Sequence, residues 1–146
     1  MKSTKKRNEE LIMTKKELAI ANHDKKFNCA QAVACAFSEE IGVDEAVLFK
    51  ACEGFGLGMG CMECTCGALS GAIMLAGFKN SDGNIADPGT KAATYQLSKQ
   101  LVERFREKTG STVCKELKGI DTGKILRSCP DCIMDGVEAV QEVLGL

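Results

Sequence analysis

Apolar positions along this chain recur at steps of three and four rather than alternating, a spacing that predicts helices from end to end. The clearest stripe is Ile133, Val137, Val140 and Leu144, within a helix expected from about Pro130 to Leu144. Leu97, Leu101 and Phe105 recur every four residues, with Tyr95 and Val102 beside them, and predict a long amphipathic helix from Thr90 to Lys108. Leu11, Ile12, Leu18 and Ala19 give one face to a helix from Glu9 to about Ala21. End signals divide the rest. Asn28 is placed to cap a helix from Cys29 to about Ile41, which Gly42 closes; Asp44 caps "EAVLFKACE", and Ser111 caps "TVCKELK" after Gly110 stops the long helix. A further helix begins near Cys66 and ends around Ala76 and Gly77. Before it, glycines at 54, 56, 58 and 60 preclude a stable helix between Gly54 and Thr65. Residues 80–89 and 119–128 read as loops. No segment reads convincingly as a strand, and there is no internal repeat or linker. The pattern predicts a single-domain all-α bundle over 1–146, with five to seven helices, a glycine-rich loop before the central one, and residues 1–8 frayed.

Length and charge narrow the function. At 146 residues one domain can bury a full core, and a formal charge of −1 gives no general attraction to nucleic acid or anionic membrane. The basic stretch Lys2 to Arg7 reads as a solvated end. Leu11-Ile12-Met13 is followed at once by Thr14-Lys15-Lys16-Glu17, so no secretory apolar region develops. The longest nearly apolar run, Cys66 to Phe78, has 13 residues where a membrane span needs roughly 20. The expectation is a cytoplasmic protein without a membrane span.

The composition departs from the ordinary in its nine cysteines. An odd count without a signal peptide argues against a fixed disulfide framework. Cys35 and Cys52 fit small buried hydrophobes. Five others fall at four expected helix starts: Cys29, Cys66, Cys114, and the pair Cys129 and Cys132 around Pro130. Unpaired amides and the helix dipole favour thiolate there, the form that attacks disulfides and binds metals. Cys61 and Cys64, in "CMECTCGALSG", stand close enough in sequence to be partners of Cys66. The loop "GFGLGMG" fails the G-x-G-x-x-G pattern in every register and has no strand before it, so no dinucleotide site is read. Its glycines instead allow backbone to approach sulfur or another chain. Gly67 and Gly71, with Ala68 and Ala72, give the central helix a close-packing face, and with the loop they predict a homodimer. After "CPDC" stands Ile133, which excludes a haem c attachment. His23 is expected at the surface of a helix end, with nothing to bring it to a cysteine. Glu9-Glu10 and Glu39-Glu40 read as solvated faces.

At these cysteines the sequence resembles the redox-active protein family named for the motif C_GCAxxG_C_C. The core Cys66-Gly67-Ala68-Leu69-Ser70-Gly71 carries the likeness. Cys29 in "FNCAQAV", Cys114 in "GSTVCKEL" and Cys132 in "CIMDGVEAV" match the flanking cysteines, over roughly residues 27–144. The resemblance implies a redox role, and similar domains joined to haem-binding segments are associated with an iron–sulfur cluster. Cys61, Cys64 and Cys129 are additions to the plain pattern.

Three functions follow. The first is an iron–sulfur electron carrier or sensor with Cys29, Cys66, Cys114 and Cys132 as the ligand pool. The second is a dithiol/disulfide oxidoreductase working through Cys129/Cys132 or Cys61/Cys64, although no βαβ context surrounds either C-x-x-C. The third is structural zinc on two C-x-x-C pairs, although 64 residues separate Cys64 from Cys129. Either redox reading requires an electron-transfer or thiol redox partner protein. Cys66 is the thiol whose loss is expected to matter most.

Overall fold

A computed structural model describes residues 13–146. The basic stretch Lys2 to Arg7, Glu9-Glu10, and Leu11 and Ile12 lie outside the described residues. Within them the chain is helical, and its one β-type contact is an isolated antiparallel bridge between Thr65 and Val113. Helix α1 spans Lys15–Asp24, α2 Cys29–Cys35, α3 Ser38–Ile41 and α4 Glu45–Cys52. Then α5 spans Gly67–Asn80, α6 Lys91–Thr109, α7 Cys114–Lys118 and α8 Cys129–Leu144.

Eight helices among the described residues exceed the expected five to seven, and the reason is local. The stretch read as one helix from Cys29 to Ile41 breaks at Phe37. There the backbone turns to φ −110°, ψ 14°, and the Phe37 amide donates to Ala34 O, three residues back rather than four. The Phe37 side chain is wholly buried, so packing outweighs helical continuity. Of the helix expected from Glu9, residues 9–12 lie outside the described ones; within them it starts at Lys15, where Thr14 Oγ1 accepts the Glu17 amide at 3.1 Å. The central helix passes Gly77 and ends at Asn80, because Gly77 is not in the left-handed region that stops helices. Gly42 and Gly110 do close their helices that way, at φ 68° and 90°.

Helix α5 is the centre of the bundle, packed by α2, α6 and α8, while α1 lies against α2 and α8. The α8 stripe Ile133, Val137, Val140 and Leu144 is buried as expected, as are Leu101 and Phe105 on α6; Tyr95 instead faces solvent, 65% exposed. The small face of α5 is filled from within the chain. A Cβ added to Gly71 would stand 2.5 Å from Ala30 O, and one on Gly67 would stand 3.1 Å from Ala30 N. Helix α2 thus occupies the surface that had suggested a second copy.

Candidate functional site

The close approach of α2 to α5 sets two thiols side by side. Asn28 Oδ1 accepts the Gln31 amide at 2.9 Å while Gln31 Oε1 accepts the Asn28 amide at 2.9 Å, a capping box that leaves Cys29 as the first residue of α2. Cys66 occupies the N-cap of α5, and its amide donates to Thr112 O at 2.7 Å. The missing Gly67 Cβ would stand 3.2 Å from Cys29 Cβ, so glycine lets these helix starts meet more closely than a larger residue would.

Helices α7 and α8 close the other side. Cys114 begins α7, its amide donating to Cys64 O at 3.0 Å. The glycine-rich turn Gly56–Met59 has left-handed backbone at Leu57 and Gly58, and a Cβ on Gly58 would stand 2.5 Å from Cys114 Cβ. Ser128 caps α8, whose first and fourth residues are Cys129 and Cys132. The result is one apolar-walled cavity of about 210 Å³ lined by Cys29, Cys66, Cys114, Cys129 and Cys132.

The thiols interact in crossed pairs. Cys29 faces Cys129, and Cys132 faces Cys66, so each cysteine of "CPDC" interacts with a different helix. In the first pair the thiolate belongs on Cys129, pulled down to about 5 by the Cys29 hydrogen bond against its burial, and further by Lys118 and His23. Cys29 is correspondingly pushed up, by that hydrogen bond and by burial. In the second pair the Cys132 hydrogen bond, working against burial, holds Cys66 below its ordinary value, and the amides of Ala68 and Leu69 at the head of α5 add to it. Cys132 is pushed up by the same bond and by burial. Burial also raises Cys114. Lys118, which burial alone would lower, is raised by the Cys129 charge it faces.

Besides Lys118, two more residues at this cavity escaped the sequence reading. His23 lines it rather than facing solvent, and its Nδ1 is buried without a hydrogen-bond partner. The α1–α2 turn explains this correction: Lys26 takes φ 76° and the Phe27 amide donates back to Asn22 O, folding the end of α1 beside the start of α2. Arg127 also lines the cavity, gripping buried Asp135 through Nε at 2.8 Å and a second nitrogen at 3.1 Å. That ion pair fastens the loop after α7 onto α8 and leaves Lys118 to balance Cys129.

The remaining cysteines stand apart. Cys35 and Cys52 are buried between α2 and α4, and burial raises them to about 12 and about 11. Cys61 and Cys64 are exposed and do not line the cavity, so the structure does not gather the two C-x-x-C pairs that a zinc site would use. Among the described residues, no three His, Cys, Asp or Glu side chains converge closely enough to hold a single metal ion. None of the described helices is long and apolar enough to cross a membrane.

Comparison with known proteins adds one finding. The family model described as "Putative redox-active protein (C_GCAxxG_C_C)" matches residues 27–143, the span that contains every cavity cysteine. No curated protein and no solved structure matches the chain significantly.

Proposed function

Because this chain belongs to the C_GCAxxG_C_C family of redox-active proteins, we propose that its cavity holds an iron–sulfur cluster with which the protein carries or senses electrons. The observation behind this reading is five thiols, drawn from four helix starts, around one cavity. The donor set fits: such clusters take four cysteine sulfurs, and here four stand in two adjacent pairs, Cys29 with Cys129 and Cys66 with Cys132. The proposal therefore adds Cys129 to the ligand pool, with Cys114 as the fifth thiol. When bound, a cluster supplies one-electron transfer at a potential set by charge, solvent access and hydrogen bonds to its sulfurs. The chain's own residues prepare each of these. The α5 amides and Lys118 favour thiolate, Leu117 and Gly67 give the cavity apolar lining, and Gly58 brings backbone against Cys114. A reducing cytoplasm suits nine cysteines, and an electron-transfer protein is the partner such a site needs.

Anaerobic reconstitution with ferrous iron and sulfide tests the reading. Wild-type protein should bind both, colour, and give a paramagnetic signal in one oxidation state. Cys66→Ser and Cys129→Ser should lose the colour, while Cys35→Ser keeps it. A colourless wild type, or a Cys66→Ser protein that loads equally, refutes the proposal.

One observation favours a second reading: the low Cys129 pKa beside Cys29 is the poise of an attacking thiol with a resolving neighbour. If the wild type binds no iron but forms a Cys29–Cys129 disulfide under mild oxidation, the site is a dithiol oxidoreductase centre.

A further inference from the structure

Outside the cavity lies a second pair of thiols. Cys61 and Cys64 are the exposed cysteines among the described residues, and they stand close enough to interact. The turn that brings them together uses left-handed backbone at Met59, Gly60 and Met62. It is fixed rather than loose. Lys115 N donates to Met62 O at 2.8 Å and Cys114 N to Cys64 O at 3.0 Å, and Thr65 bridges Val113. Cys61 Sγ also reaches Gly58 O at 3.5 Å. Two neighbouring thiols three positions apart, on an anchored turn and open to solvent, suit exchange with a disulfide brought from outside. No wall encloses them, so a small disulfide reaches them without a fitted pocket.

We propose that Cys61 and Cys64 form a second redox site, a surface dithiol that reduces low-molecular-weight disulfides independently of the cavity. One thiol, as thiolate, attacks a sulfur of the disulfide and expels the first thiolate product. The other then attacks the protein sulfur of that mixed disulfide and expels the second product. Two electrons pass to the substrate, the two thiol protons go to its products, and a Cys61–Cys64 disulfide remains.

The test equilibrates the full chain with reduced and oxidised glutathione at graded ratios, then quenches, alkylates and maps the peptides. A Cys61–Cys64 bridge should form at ratios that leave the five cavity thiols reduced. Cys61→Ser and Cys64→Ser should each retain one glutathione on the surviving thiol, because the resolving step is missing. The double variant should load iron as the wild type does. Oxidation of cavity thiols first, stable glutathione on both positions of the wild type, single variants that take up none, or a double variant that fails to load would each overturn the proposal. Failure of the wild type itself to bind iron bears only on the cavity.

Discussion

The closest helix contact in the bundle gives the sharpest prediction about stability, through Gly71→Ala. The added methyl would sit 2.5 Å from Ala30 O, a backbone atom that no rotamer change can move. Restoring ordinary contact would part α2 and α5 by roughly 0.9 Å in a close-packed interior. Overpacking of this kind costs about 1–3 kcal/mol, and a rigid backbone neighbour places it toward the upper end. Alanine recovers about 1 kcal/mol by stiffening the unfolded chain and favouring helix. The net loss is about 2 kcal/mol, or a melting temperature lower by roughly 4–8 °C for a chain of this size. Gly77→Ala on the same helix is the control. Its methyl meets nothing within 4 Å, so this variant should gain about 0.5–1 kcal/mol. Urea unfolding followed by far-ultraviolet circular dichroism compares the two. A Gly71→Ala protein as stable as Gly77→Ala would refute the argument that the α2–α5 contact depends on glycine.

Alkylation of iron-free protein by iodoacetamide should label Cys129 with a midpoint near pH 5, because its pKa is lowered to about 5. Lys118→Met should move that midpoint upward, and a wild-type midpoint near the free-thiol value of about 8.5 would refute the thiolate assignment. Gly58→Ala adds a methyl 2.5 Å from Cys114 Cβ at φ 55°, so it should reduce iron loading more than Gly60→Ala, whose methyl meets nothing within 4 Å; equal loading counts against the loop's role. Glu138 is pulled down to about 2 by its hydrogen bonds to Lys108 and Lys16. Its contribution is therefore present above its ordinary carboxylate range and fades as pH falls toward 2. Being solvent-exposed pairs, these are worth under about 1 kcal/mol, so Glu138→Gln should destabilise slightly at pH 7 and not at pH 2 in thermal melts.

Much of the helical frame was legible because its signals are local. Asn28, Asp44, Gly42 and Gly110 act through their own side chains or backbone, and the Ile133 to Leu144 stripe follows from helical period alone. The concentration of thiols at helix starts was legible for the same reason. What escaped depends on tertiary placement. The break at Phe37 serves a side chain that the core must seat, and no residue beside it signals an end. His23 reaches the cavity only because the α1–α2 turn doubles back, and the crossed pairing of Cys129 and Cys132 depends on how α8 docks. Spacing in "CPDC" suggests partners within the motif; in the fold each of its cysteines also faces a thiol from another helix. The small-residue face on α5 was visible, but whether α2 or a second copy covers it is decided by packing.

The crossed pairs also impose an order of assembly. Each takes one member from α8, and Cys129 follows Cys29 by 100 residues. On a ribosome, α2 and α5 emerge and can pack through Gly71 while Cys29 and Cys66 still lack their α8 neighbours. A chain halted before Ser128 holds neither pair. Maturation of the centre thus waits on synthesis of α8, and nascent chains present unshielded thiols to whatever metal or oxidant they meet first.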